Sequence, residues 1–132
     1  MLKKIKNKIT MNEFAKLISY LFHSRTQAHI FHLQTDSFAA HSALNGYYDA
    51  IIGLTDGLVE SYQGKYGILT NYSNFSILEY KSCEEVIMYF QGLDMTIEKL
   101  RKSIPQDSYI QNQVDTIVEL VSSTIYKLKF LK

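Results

Sequence analysis

Apolar residues recur at spacings of three and four through most of the chain, a period that suits helices far better than strands. Phe14, Leu17, Ile18, Leu21 and Phe22 mark a first helix running to about residue 33. Thr10-Met11-Asn12-Glu13 has the form of a capping box, so that helix is expected to start near residue 11. Gln34-Thr35-Asp36-Ser37 is a polar break rich in N-cap residues, and a second helix is expected from Phe38 to about Gln63, with Gly64 and Gly67 as stops. Ser82-Cys83-Glu84-Glu85 is another capping box, followed by Val86, Phe90, Leu93, Ile97 and Leu100 on a third helix that ends before Pro105. Ile110, Val114, Ile117, Val121, Ile125 and Leu128 give a fourth. Residues 65 to 81 lack sustained periodicity and read as a long connection, with room for one short helix around Ser73 to Glu79.

The expected fold class is therefore all-α. Two short turns and one long link between the second and third helices suggest a ferritin-like four-helix bundle with a crossover connection. The whole chain, residues 1–132, is expected to be one domain, with residues 1–9 a basic mobile tail.

With 14 Lys and Arg against 13 Asp and Glu, the net charge of +1 gives nucleic acid no global attraction. Any such contact must be local. Lys3, Lys4, Lys6 and Lys8 could supply one, and a solvated, solubilising end accounts for them equally well. The single cysteine, Cys83, offers neither an intramolecular disulfide nor a thiolate metal knuckle, and fits a reducing compartment. No apolar run approaches the roughly 18 residues of a membrane span, and no signal-like core follows Met1-Leu2-Lys3-Lys4. The expectation is a soluble, cytoplasmic protein without a membrane partner.

On the second helix, at about 100° per residue, His41, Asn45, Asp49, Asp56 and Glu60 share one face. A solvated face is the default explanation of such a stripe. Two features argue for more. Gly46, Ala50, Gly53 and Gly57 run beside it, each glycine costing a helix about 1 kcal/mol relative to alanine, so another backbone is expected to come close. That backbone belongs either to the same bundle or to a second chain. The polar positions are also symmetric about the helix midpoint. His41 and Glu60 lie about 28 Å apart along the axis, too far to share a small ligand in one chain. Antiparallel pairing of two such helices would set His41 against Glu60 and Asn45 against Asp56 of a second copy, as in an isologous dimer.

All four histidines fall between residues 23 and 41. Across the short first turn His29 and His41 can approach each other, and imidazole with carboxylate suits iron, manganese or zinc without cysteine. His23 is expected at the surface and His32 in a turn contact, neither on a metal.

Gln27-Ala28-His29, Phe38, His41, Leu44-Asn45-Gly46, Asp56 and Glu60 resemble the Dps family of mini-ferritins over residues 27 to 61. In that family a histidine ends the first helix, a second follows twelve residues later, an acidic residue comes four beyond it, and an Asp-x-x-x-Glu pair lies further along. The resemblance implies an iron site between two chains at a two-fold axis, with His29 and His41 from one and Asp56 and Glu60 from the other. It also implies a homo-oligomer, a hollow dodecamer, that oxidises ferrous iron with peroxide or oxygen and stores the ferric product. Some members bind DNA through basic tails. The chain departs from the pattern at Asn45, where the family has an acidic ligand, and at Ile30, where it has Trp. Lys127, Lys129 and Lys132 also make the C-terminal end more basic than in many relatives. The alternative reading is a noncatalytic ferritin-like or DNA-binding assembly with a degraded metal site. A di-iron oxidase with its site inside one bundle is disfavoured, since Glu-x-x-His is absent.

Overall fold

The computed structural model describes residues Met1–Lys132 as four α-helices and one short 3-10 turn, with no strand. Helix α1 spans Leu2–Gln34, α2 Phe38–Tyr66, α3 Cys83–Leu100 and α4 Ser108–Phe130, and the 3-10 turn Arg101–Ser103 follows α3. Two serines start helices as their sequence context suggests. The Ser37 hydroxyl accepts the Ala40 N–H at 3.1 Å and the Ser82 hydroxyl accepts the Glu85 N–H at 3.2 Å. Helix α2 ends at Gly67, whose φ of 96° is one that an L side chain rarely adopts. Pro105 lies just beyond the 3-10 turn, outside any helix.

The first helix begins earlier than its capping-box signature suggests. Thr10 does not cap it: its hydroxyl donates to the Lys6 carbonyl at 2.9 Å, one turn back inside a continuous helix. Residues 2–9 are thus helical and continuous with the rest of α1, and all are exposed. With no Gly or Pro before Thr10, and with leucine and four lysines among good helix formers, nothing interrupts the helix there.

Helix α1 packs on α2 and α3, and α4 packs on the same two. A core of 26 buried residues joins all four helices and is held at its centre by aromatic pairs. Phe14 stacks on Tyr62 with centroids 4.0 Å apart, and Tyr47 meets Phe90 edge-on at 4.8 Å. Each such side chain contributes about 1.5–3 kcal/mol by leaving water. The buried Tyr47 hydroxyl shares a 2.7 Å hydrogen bond with Ser24, and burial pushes its phenol well above the ordinary range.

Residues 67–82 form neither helix nor strand, so the short helix expected near Ser73 is absent. Side chains of α1 take up the backbone groups that such a helix would use. Ser19 accepts the Ser73 N–H at 2.8 Å, and Gln34 accepts that of Tyr80 at 2.8 Å. The Gln27 amide accepts from the Leu78 N–H at 2.7 Å and donates to its carbonyl at 2.8 Å. Near the start of the connection Asn71, with φ at 68°, donates to Asn12. The connection therefore runs along α1 from its Asn12 region to its Gln34 end. No helix is long and apolar enough to cross a membrane.

Candidate metal centre

The α1–α2 turn gathers histidines because three-residue closure, capped by Ser37, puts the last turns of α1 beside the first turn of α2. His32 and His41 clasp each other there. The His41 Nδ1 donates to the His32 carbonyl at 2.9 Å, and the His32 Nδ1 donates to the His41 carbonyl at 2.7 Å. Their rings stack with centroids 3.6 Å apart. A carbonyl only accepts, so each Nδ1 carries hydrogen, and a neutral ring held this way has its lone pair on Nε2. That is the state in which a histidine ligates a metal, its other nitrogen held by a backbone oxygen. His29 joins the same corner, stacked on Tyr48 at 4.3 Å and lying 6.0 Å from the His32 ring.

One turn along α2, Asn45 is already engaged on both sides of its amide. Its Nδ2 donates to Asp49 Oδ2 at 3.0 Å and its Oδ1 accepts from the Tyr48 hydroxyl at 2.8 Å. His29 and His41 are thus both neighbours of His32, and His29 and Asn45 are both neighbours of Tyr48. Asp56 and Glu60 stand apart. They are exposed further along α2, about 22 and 28 Å from His41 at the helical rise, and neither makes a side-chain hydrogen bond or ion pair within the chain. No group of three or more His, Cys, Asp or Glu residues within one chain is arranged to hold a metal ion.

The small residues beside the stripe are not spent on packing inside the bundle. A Cβ built on Gly46 or Gly53 would meet nothing within 4 Å, and on Gly57 only the end of Gln113 at 3.5 Å. Ala50 is exposed as well. The close approach of another helix of the same chain, one of the two explanations for the stripe, does not occur at Gly46 or Gly53.

Two site neighbours, Tyr48 and Asp49, gain significance only from the structure. Asp49 lies on the polar face in the sequence, but its bond to Asn45 does not follow from that. His32 makes the turn contact expected of it. His23 differs from expectation: it is half-buried, with Nε2 donating to the Ser76 carbonyl and Nδ1 accepting from the Tyr89 hydroxyl, both at 2.8 Å.

The model of a family of unknown function, DUF5856, matches residues 32–128, and the chain belongs to that family. The matched span begins at His32 and includes His41, Asn45, Asp56 and Glu60, but not His29. No curated protein and no solved structure matches the chain.

Proposed function

We propose that the protein is a Dps-like mini-ferritin: a ferritin-like bundle with a long crossover between α2 and α3, cytoplasmic, binding and oxidising ferrous iron between subunits and storing the ferric product. The observation that carries this reading is the division of donors along one open face of α2. Two imidazoles, His41 with its Nδ1 on a backbone carbonyl and His29 stacked on Tyr48, lie toward one end, two uncommitted carboxylates toward the other, and exposed glycines between. Antiparallel pairing of two α2 faces would bring His29 and His41 of one chain to Asp56 and Glu60 of the next, completing a nitrogen and oxygen donor set suited to iron. Two ferrous ions would then give one electron each to peroxide, which with two protons leaves as water. The chain's part is to fix the donors and exclude competing ligands. A two-fold dimer assembling further into a dodecamer belongs to the same proposal.

One observation favours the alternative, a noncatalytic ferritin-like or DNA-binding assembly using Lys3, Lys4, Lys6 and Lys8. The Asn45 oxygen that would face a metal is taken by Tyr48. Stopped-flow oxidation of Fe(II) by peroxide and by air, with equilibrium Fe(II) binding, separates the two. The mini-ferritin reading expects saturable binding and turnover in the wild type, and loss of most of both in His41→Ala and Asp56→Ala. Equal kinetics in all three proteins reject the site, and a wild type that neither binds nor oxidises iron establishes the noncatalytic reading.

A further inference from the structure

Toward opposite ends of α1 the chain carries two exposed apolar surfaces, a basic one that borders an open cleft against Lys102 and Ile104 and a net acidic one, which cannot meet within one molecule. The first is the N-terminal stretch of α1. At about 100° per residue, Leu2, Ile5 and Ile9 form one stripe, with Lys6 on one side and Lys8 on the other. The three apolar side chains are 85%, 50% and 56% exposed.

The second is an open groove between the connection and α3. Its apolar wall includes Ile77, Leu78 and Met88, with Glu79 and Glu85 beside them against one lysine, Lys81. Met88 is 66% exposed, and an unbranched thioether adapts readily to an incoming surface. Met88 and Tyr89 also border a neighbouring pocket that reaches Gly92 and Thr96 on α3. From Glu85 to Thr96 the two pockets lie along about 16 Å of helix, enough for the roughly 10 Å between Leu2 and Ile9.

We propose that residues 2–9 of one copy dock in this groove of a second copy. The stripe supplies apolar side chains and flanking positive charge, and the groove supplies an apolar wall and a net negative rim, the pattern of a helix laid into a groove. A chain cannot fill its own groove, because Ile5 and Phe31, which also lines it, lie about 39 Å apart on one helix. The contact is heterologous, tail to groove, so it closes a ring or propagates. It is separate from the face of α2 invoked above, since α3 packs on α1 and α4. Nucleic acid would use the lysines and leave the apolar stripe in water, which favours a protein partner.

Light scattering at tens of micromolar tests the contact with the full chain, comparing wild type, Ile5→Asp/Ile9→Asp in the tail and Met88→Asp in the groove. All three sites are exposed, so helical circular dichroism should be unchanged. Each variant should lose the tail–groove contact and fall to a smaller species, with at least a tenfold weaker association constant. Mixing the two should restore one contact per pair, because one partner keeps an intact groove and the other an intact tail. Glu79→Lys/Glu85→Lys should also weaken assembly, and adding Lys6→Glu/Lys8→Glu should recover it. A monomeric wild type, unchanged mass in the variants, or a mixture that fails to associate overturns the proposal. So does a tail variant that keeps its mass and loses only retention of double-stranded DNA. His41→Ala should leave this contact intact, which separates its failure from failure of the iron site.

Discussion

His32 and His41 each donate a hydrogen bond from Nδ1 to the other's backbone carbonyl, with ring centroids 3.6 Å apart, so one turn locks the rotamers of both rings. Replacing His32 by Ala removes the bond to the His41 carbonyl and the ring on which His41 rests. The expected cost is about 1–3 kcal/mol in urea denaturation at neutral pH. Nitrogen NMR should show His41 as the Nδ1–H tautomer in the wild type and still so in the variant, whose residue-32 carbonyl remains the acceptor. His32→Phe should recover part of the stability through stacking alone, and a His32→Ala variant as stable as the wild type would refute the lock.

Asn45→Asp is expected to move metal affinity and stability in opposite directions. The Asn45 Nδ2 donates to Asp49, so the substitution replaces a hydrogen bond with two facing carboxylates. Without metal the thermal midpoint should fall; with Fe(II) under anaerobic conditions binding should tighten, because a dication relieves the repulsion. Tighter binding with no loss of metal-free stability would contradict the geometry around Asn45.

The apolar stripes, the serine caps at Ser37 and Ser82, and the stop at Gly67 are legible in the sequence because each depends on residues within a turn or two of one another. The start of α1 is not, since Thr10 in a capping-box pattern is equally able to bond back to Lys6, and only the continuity of the backbone decides between them. The course of the connection is illegible for a different reason. It is set by Ser19, His23, Gln27 and Gln34, polar residues on α1 whose partners lie about 45 to 55 positions away. A hint was present: Ser19 and Gln27 fall on the apolar side of α1, where a buried polar group demands a partner. At the candidate site, spacing picks out His29, His41, Asp56 and Glu60, whereas the engagement of Asn45 by Tyr48 and Asp49 depends on side-chain rotamers.

Gln27 should be the residue on which the connection depends most. Fully buried, it satisfies both the N–H and the carbonyl of Leu78. Gln27→Ala leaves those groups without partners, at an expected cost of about 2–3 kcal/mol. The connection should then open locally, so limited proteolysis within residues 70–82 should accelerate before global unfolding. Equal cleavage rates in variant and wild type would remove Gln27 from that role.

Asp107 ties the start of α4 to the end of α2, accepting from Lys65 at 2.5 Å and from the Tyr66 hydroxyl at 2.6 Å. Those two hydrogen bonds hold the Asp107 carboxyl below its ordinary value of 3.8, while the bond to Asp107 raises Lys65 above 10.5 and Tyr66 above 10.0. A depressed carboxyl contributes stability above its unfolded value and loses it as pH falls through the lower folded one. A raised lysine contributes below its unfolded value and loses that contribution as pH climbs through the higher folded one. The clamp should therefore operate fully between about pH 5 and 9 and weaken at either extreme. Thermal midpoints of wild type and Asp107→Asn should differ most in that window and converge below it, as pH falls under 3.8 and through the lower folded value; a constant difference down to pH 2 would rule the clamp out.

Thr55 is 1% exposed on α2, and its hydroxyl has no hydrogen-bond partner. Burying a hydroxyl without a partner costs free energy that a methyl group of similar size does not. Helix propensity hardly distinguishes the two residues, since threonine and valine rank together. Thr55→Val is accordingly expected to stabilise the bundle by about 1 kcal/mol, raising the thermal midpoint by about 4 °C for a chain of this length. Thr55→Ser provides the opposite control: it keeps the unpartnered hydroxyl, removes the buried methyl, and should cost about 1 kcal/mol. If valine destabilises the protein as serine does, the hydroxyl of Thr55 has a partner after all.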